Sequence, residues 1–132
     1  MKTFRILADD LSGACDTGLE FYLCGCATHI RLVPGPSDAV ALVLDSESRN
    51  IDAQSARTAE RRLLQAENMD QGHVWFKKID STLRGNIAAE LDELRRHKKL
   101  PVIFTPAFPA MGRTVEDGLL LVNGVPVHKT FM

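Results

Sequence analysis

The hydrophobic and polar positions of this chain alternate between short apolar runs and longer stretches with helical spacing. Residues 4–8 form the first apolar run, and residues 39–44 form the most continuous one. An uninterrupted apolar run of this length is typical of a strand that is covered on both faces. Residues 27–33, 73–77 and 101–105 are also strand-like in composition. The pattern therefore predicts five strands between residues 4 and 105.

Three segments between these strands carry apolar residues at helical spacing. The first has Ser12 as its predicted N-cap and ends at Gly25. The second is capped by Asp52, and residues 68–72 are predicted to separate it from the next strand. The third covers residues 87–94 and runs into a basic segment, which is typical of a solvated helix C-terminus.

The last part of the chain has the pattern of a hairpin. Residues 119–122 and 125–127 are apolar and flank the dipeptide Asn123-Gly124, which is a strong short-range signal for a β-hairpin. The complete order is β-α-β-β-α-β-α-β followed by this hairpin. Because alternating strands and helices favour parallel pairing, we predict an α/β fold. It would have a mainly parallel sheet with helices on both faces (three-layer α/β/α) and a C-terminal β-hairpin.

Composition narrows the classes of function. The 132 residues fit one domain, and 45% hydrophobic with 25% charged residues is typical of a soluble globular protein. A net charge of −1 gives no general attraction to nucleic acid or anionic membranes, and the apolar runs are too short to span a bilayer. Three cysteines and no signal-peptide pattern predict a reducing, cytoplasmic setting. Cys24 and Cys26 lack a second Cys/His pair at zinc-site spacing, so they predict no metal site.

Residues 77–86 form a polar stretch between a strand and a helix, with three cations, one carboxylate, two hydroxyls and one amide. Such a stretch is poorly suited to a core and well suited to binding a ligand. In open α/β sheets, ligands bind at the edge formed by the carboxyl ends of the strands. Three other predicted strands also end in polar turns, so four turns are expected to converge there. The other turns are Asp9-Asp10, Ser48-Arg49 and residues 109–113.

The side chains of these turns indicate a ligand that is both acidic and hydroxylated. Cationic groups can neutralise a carboxylate or phosphate, whereas carboxylates suit hydroxyl groups, a metal ion or proton abstraction. Gly13 and Gly85 would let backbone N–H groups at two helix starts approach an anion. A small polyhydroxylated acid or a phosphate ester fits this pattern, although helix caps and surface ion pairs would explain any single turn. The cations are Arg49, Lys78, Arg84 and Arg113, and the carboxylates are Asp9, Asp10 and Asp80.

Standard catalytic and nucleotide-binding motifs are missing from the sequence. It has no G-x-x-x-x-G-K-[ST] loop, no G-x-G-x-x-G after a strand and no G-x-S-x-G elbow. The histidines lie in or beside predicted strands and a basic helix end, and we interpret them as structural or solvated. They are His29, His73, His97 and His128.

Motifs along essentially the whole chain resemble those of the four-carbon acid sugar kinases. Residues 6–18 resemble the opening of that family, Ser48-Arg49 its second turn, and residues 77–86 its most characteristic motif. Later motifs follow in the right order. They are residues 106–109, residues 112–114, Gly118 and residues 123–126. Within the family, residues 80–84 are more similar to the D-threonate and D-erythronate kinase branch than to the 3-oxo-tetronate kinase branch.

The resemblance implies ATP-dependent phosphorylation of a hydroxyl group on a four-carbon sugar acid. Family members hold the acid in an N-terminal α/β domain, and they hold ATP and Mg²⁺ in a C-terminal one. Asp80 or Asp10 would orient or deprotonate the attacking hydroxyl, while arginines and Lys78 would hold the acid's carboxylate. The substrate-binding residues implied by the motifs are Asp9, Asp10, Ser48, Arg49, Lys78, Asp80, Ser81, Arg84, Gly85 and Arg113.

The chain departs from the family in length, because family members are much longer. Residues 1–132 are therefore expected to be a partial N-terminal substrate-binding domain without the nucleotide-binding domain, inactive alone and prone to self-association through exposed sheet edges. Two alternatives remain open. One is a non-catalytic binding or interaction module derived from the same fold. The other is a metal-dependent hydrolase built on Asp9, Asp10 and Asp80.

Overall fold

The computed structural model describes residues 2–66, 72–99 and 101–130. The strands are β1 (Phe4–Ala8), β2 (Thr28–Arg31), β3 (Ala41–Asp45), β4 (Val74–Lys77), β5 (Arg113–Glu116), β6 (Leu119–Val122) and β7 (Val125–Pro126). The helices are α1 (Leu11–Leu23), α2 (Ala53–Ala66) and α3 (Ile87–Lys98), with short 3-10 turns at Pro109–Met111 and Val127–Lys129. None of the helices in these ranges is long and apolar enough to cross a membrane.

Four strands form a parallel sheet in the order β2-β3-β1-β4. Ile6 in β1 lies opposite Val43 of β3 and Phe76 of β4. All residues of β3 are buried, as expected for an interior strand with both faces covered.

Helices cover both faces of this sheet. Successive strand residues point to opposite faces, so neighbouring residues of β1 join different clusters. One cluster packs against α2 and α3 and contains Leu7, Leu42, Leu44, Leu63, Leu64 and Leu94. The other packs against α1 and contains Ile6, Ala8, Ala14, Ala41 and Val43. The predicted three-layer α/β/α arrangement is confirmed.

The order of the strands also creates a crevice. Helix α1 connects β1 to β2, which is the strand at one edge of the sheet. Helix α2 connects β3 to β4, which is the strand at the other edge. Parallel crossovers are right-handed, which places these two connections on opposite faces. The carboxyl ends of β1 and β3 therefore meet at a topological switch point, where open α/β sheets bind ligands.

Two predicted features differ from the structure. Residues 101–105 form no strand, and Ile103 is 98% exposed. A strand needs a partner, and this apolar segment makes no ladder with the β4 edge. The N-cap of α1 is Asp10 rather than Ser12, since Asp10 Oδ1 accepts a hydrogen bond from Gly13 N at 3.0 Å. The predicted break at residues 68–72 lies outside the described residues except for Gly72.

The C-terminal segment forms a second, antiparallel sheet in the order β5-β6-β7. The predicted hairpin at Asn123-Gly124 is confirmed, and both residues have positive φ, 49° and 78°. The sequence prediction missed β5, which pairs with β6 through a second tight turn at Asp117-Gly118. Type I′ turns require positive φ at both central positions, and these two residues have φ of 48° and 78°.

Candidate functional site

Arg49 is the centre of a charged cluster at the switch point. Its guanidinium contacts Asp9 through Nε–Oδ2 at 2.9 Å and Nη2–Oδ1 at 2.8 Å. The same group contacts Asp10 through Nη1–Oδ2 at 2.6 Å and Nη2–Oδ1 at 2.7 Å. Four of the five N–H donors of Arg49 are thus used by two carboxylates. These contacts raise the pKa of Arg49 above its usual value, chiefly through the hydrogen bond to Asp9.

Local structure fixes both aspartates. Asp9 directly follows β1 and is 1% exposed, and its carboxylate is held by the bidentate contact with Arg49. Asp10 caps α1, and its side chain is 26% exposed. A Cβ at Gly13 would lie 2.6 Å from Asp10 Oδ1, so only glycine leaves room for this cap. The two carboxylates are close in sequence but differ in access to a ligand.

The turn after β4 adds a second carboxylate–guanidinium pair. Arg84 donates to Asp80 through Nε and Nη2, each at 2.9 Å. Asp80 also accepts hydrogen bonds from the backbone N–H and hydroxyl of Thr82 and from the backbone N–H of Arg84. The hydrogen bond from the Arg84 side chain is the largest cause of a pKa for Asp80 well below its usual value. Arg49 Nη1 lies 3.9 Å from Asp80 Oδ1, which joins the two pairs into one cluster.

The remaining predicted residues of this turn lie beside the cluster. Lys78 Nζ donates to the Ile79 carbonyl at 3.0 Å and lies 3.6 Å from the Cβ position of Gly13, next to the start of α1. No carboxylate lies within ion-pair distance of Lys78 among the described residues. Gly85 has φ of +94°, and a Cβ there would lie 3.0 Å from Asp9 Oδ2. Backbone therefore closes over the Asp9 carboxylate where any other residue would crowd it.

Two predicted site residues occupy different surroundings. Ser48 is fully buried, and its hydroxyl donates to Glu90, so it faces away from the crevice. Arg113 begins β5 in the second sheet, where Nη1 donates to the Met111 carbonyl. No hydrogen bond or ion pair connects Arg113 to the charged cluster within the described ranges. The predicted convergence of four turns thus holds for three of them.

The cluster does not fit a metal ion in its observed form. Mg²⁺ is held mainly by carboxylate oxygens and water, but Asp9, Asp10 and Asp80 are each bound to an arginine. No group of three or more His, Cys, Asp or Glu side chains suited to a metal occurs in the described part of the chain.

Three residues important to this geometry were not selected from the sequence. Thr82 donates twice to Asp80, and Asn86 Nδ2 donates to the carbonyls of Ser48 and Ile51, both at 2.8 Å. Glu90 accepts from Ser48 although it lies on α3. Thr82 and Asn86 belong to the polar stretch 77–86, whereas Glu90 carried no sequence signal beyond an acidic residue on a helix.

A cavity of about 690 Å³ lies beside β4, and its lining includes none of Asp9, Asp10, Arg49, Asp80 and Arg84. Lys78 and Ser81 lie at its polar part, and Trp75, Phe104 and Phe108 contribute to its apolar wall. The edge of the sheet therefore combines cations and a hydroxyl with space for a small molecule.

The chain is similar in sequence to known proteins. The sequence model of a family described as "Sugar-binding N-terminal domain" matches residues 4–132. The chain is 41% identical to a D-threonate kinase of Cupriavidus necator and 40% identical to one of Salmonella typhimurium; the alignments cover 96% and 95% of the chain. Relatives named D-erythronate kinase and 3-oxo-tetronate kinase match at 33% and 36% identity.

A solved structure gives the same fold. It is a domain of unknown function from Bordetella bronchiseptica, crystallised with bound citrate as a domain-swapped dimer. The TM-score is 0.89 at 34% identity, with 96% of this chain and 34% of that chain covered. The two D-threonate kinases are likewise covered over 31% of their lengths. The chain thus spans about a third of the length of the relatives it matches.

Proposed function

The chain belongs to the family of sugar-binding N-terminal domains, and on this premise we propose that it binds a four-carbon sugar acid of the D-threonate or D-erythronate type. The resemblance to four-carbon acid sugar kinases is confirmed at the level of the family. The observation that supports the ligand class is the cluster at the switch point, where three aspartates and three cations from separate turns meet. The Bordetella domain, solved with citrate, supports a small hydroxy acid as the kind of ligand.

The free donors indicate which cations bind the ligand's carboxylate. Arg49 has committed four donors to Asp9 and Asp10, so its role is to hold these carboxylates in place. Arg84 uses only Nε and Nη2, and its side chain is 58% exposed. Arg84 and Lys78 are therefore the groups that we assign to the acid's carboxylate.

Access to lone pairs indicates which aspartate binds a ligand hydroxyl. Asp80 Oδ2 already accepts from four donors, and its low pKa makes it a weak base. Asp9 is buried beneath Gly85. Asp10 is partly exposed and accepts three hydrogen bonds, which leaves one lone pair. Of the two predicted catalytic residues, Asp10 is the better candidate to orient the attacking hydroxyl.

The wider reaction is proposed from the relatives. In a complete enzyme this domain would present the acid to ATP and Mg²⁺ held by a C-terminal nucleotide-binding domain, in the cytoplasm. The cluster described above offers no fitting site for Mg²⁺, so no step of phosphoryl transfer is assigned to it. We also propose self-association into a homo-oligomer, because β4 is an edge strand in the described part of the chain and the Bordetella domain is a domain-swapped dimer.

Isothermal titration calorimetry of the chain with D-threonate and D-erythronate tests the ligand assignment. Arg84→Ala is expected to weaken binding by about tenfold or more, because hydrogen bonds to charged groups are lost. Arg96→Ala is the matched control, since Arg96 is 66% exposed and pairs with a carboxylate four residues away on α3. Threitol, which lacks the carboxylate, should not bind.

Two results would contradict the assignment: no binding of either acid by the folded chain, or equal weakening by both arginine substitutions. Kinase activity after mixing with a C-terminal domain from a D-threonate kinase would separate a substrate-binding domain from a non-catalytic module.

A further inference from the structure

A buried ammonium group lies next to the site and makes none of the proposed ligand contacts. The Lys77 side chain is 4% exposed, and its Nζ lies 3.3 Å from Glu60 Oε2 and 3.0 Å from Glu90 Oε2. The side chains of Glu60 and Glu90 are 0% and 1% exposed. Burying ionised groups is costly, and apolar replacements of such groups are often as stable. These residues are therefore better explained by what they hold in place.

Glu90 links the buried Lys77 side chain to the turn between β3 and α2. Glu90 uses its second oxygen, Oε1, to accept from the Ser48 hydroxyl. Ser46 Oγ lies 2.6 Å from Ser48 Oγ and is the donor of that hydrogen bond, because Ser48 gives its own proton to Glu90. The backbone N–H of Ser46 donates to the Ala8 carbonyl at 2.9 Å. A buried polar path thus runs from Lys77 through Glu90 and Ser48 to the end of β1.

Arg49 directly follows Ser48, and its backbone is held from both sides. The Arg49 N–H donates to the Asp9 carbonyl at 3.1 Å. Asn86 Nδ2 donates to the Ser48 carbonyl at 2.8 Å. With the side chain of Ser48 bound to Glu90, the residue before Arg49 is fixed through both its backbone and its hydroxyl. The hydrogen bonds of Ser48 therefore determine the direction in which the Arg49 side chain projects from the turn.

We propose that Ser48 and Glu90 are positioning residues of the sugar-acid site. Together with Lys77 they fix the turn that carries Arg49, and Arg49 fixes the carboxylate of Asp10 toward the ligand. The identity of the ligand rests on the function proposed above, whereas the positioning of Arg49 does not depend on it. This gives Ser48 an indirect role in place of the direct ligand contact expected from the sequence.

A second buried carboxylate on α3 provides a matched control. Glu93 is 2% exposed at its side chain and pairs with Arg61, with Oε1 2.7 Å from Nε. Its hydrogen bonds and ion pairs go to α2 and to its own helix. If α3 carboxylates only stabilised the fold, Glu90 and Glu93 would affect Arg49 alike.

The Arg49 Nε–H signal in the NMR spectrum of the chain is a direct readout, assigned with the Arg49→Lys variant. Loss of one hydrogen bond in the path is expected to accelerate its hydrogen exchange about tenfold in Ser48→Ala and in Glu90→Ala. Glu90→Gln keeps an acceptor for Ser48 and should retain most of the protection. Glu93→Ala, the counterpart of Glu90→Ala, should leave the exchange rate unchanged, and so should Glu93→Gln.

The proposal is overturned if Ser48→Ala leaves the Arg49 exchange rate unchanged, or if Glu93→Gln accelerates it equally. Ser48→Ala removes a single oxygen atom, so its result decides the question even if Glu90→Ala does not fold.

Affinity for D-threonate separates this proposal from the function on which it rests. Ser48→Ala should weaken binding about tenfold, and Glu93→Gln should not. If the unaltered chain binds no sugar acid while Arg49 responds as expected, the ligand assignment fails and the positioning role stands. If the chain binds D-threonate and Ser48→Ala binds equally well with an unchanged Arg49 signal, the positioning role fails.

Discussion

Replacing Glu60 by glutamine should make the chain more stable at neutral and alkaline pH. Glu60 is fully buried, and burial, together with the nearby charge of Glu90, raises its pKa from 4.5 to about 7. Lys77 opposes this rise without cancelling it. Burial alone would lower the pKa of Lys77, but Glu60 and Glu90 together raise it above its usual value, so the ammonium stays charged. Glutamine removes the titration of Glu60 and keeps an oxygen for Lys77.

The magnitude follows from the linkage between protonation and folding. Below pH 4.5 Glu60 is neutral in both the folded and unfolded states, so its titration does not affect stability. As the pH rises toward 7 the unfolded chain ionises first, and the folded state loses stability until Glu60 ionises there as well. Each pH unit between the two pKa values corresponds to about 1.4 kcal/mol, which gives a total of roughly 3 kcal/mol.

Urea denaturation of both proteins over a series of pH values measures this difference. The free energy of unfolding of Glu60→Gln, minus that of the unaltered chain, should rise by about 3 kcal/mol between acidic and alkaline pH. Glu93→Gln should show the opposite sign, because Arg61 holds the pKa of Glu93 below its usual value. A difference for Glu60→Gln that is independent of pH, or that falls as the pH rises, would refute the reasoning.

Two further substitutions test the geometry of the cluster. Gly85→Ala combines a φ of +94° with a Cβ 3.0 Å from Asp9 Oδ2, and it should lower stability by about 1–3 kcal/mol and weaken D-threonate binding. Gly118→Ala is the control, because Gly118 has a similar φ of +78° and a Cβ there would meet no atom within 4 Å. If calorimetry shows equal binding by the two variants, the role of Gly85 is contradicted. Asp80→Asn should reduce the loss of stability on acidification, because the hydrogen bond from Arg84 lowers the pKa of Asp80 and the unaltered chain loses this contribution as the pH falls below 3.8. Thermal unfolding over a series of acidic pH values measures this effect. If the unfolding temperatures of Asp80→Asn and of the unaltered chain fall equally with pH, the prediction is disproved.

The elements with strong local signals could be predicted from the sequence. The continuous apolar run of β3, the helical spacing of α1 and α2, and the Asn123-Gly124 turn all depend on neighbours in the chain. The strand β5 was missed although Asp117-Gly118 carries the same kind of turn signal. Residues 101–105 are the opposite case, because a strand is predicted there and none forms. A strand needs a neighbouring strand to pair with, and an apolar composition does not guarantee one.

The site was predictable as a set of turns but not as a set of contacts. Strand order alone brings Asp9, Arg49 and Asp80 to one edge. How the donors of Arg49 are shared depends on residues about forty positions apart, which no local pattern encodes. The same holds for Ser48, whose hydroxyl turns inward because Glu90 lies beneath it. Resemblance to a family identifies residues at a site, whereas the structure distinguishes ligand contacts from supporting ones.

The central claim is that the turns after β1, β3 and β4 form the binding site for a small sugar acid. Titration of the ¹⁵N-labelled chain with D-threonate, followed by NMR, tests it most directly. The largest changes in chemical shift are expected for the backbone amides of residues 9–13, 46–49 and 78–85 and for the Arg84 Nε–H signal. An unchanged spectrum, or changes confined to the second sheet at residues 113–126, would contradict the claim.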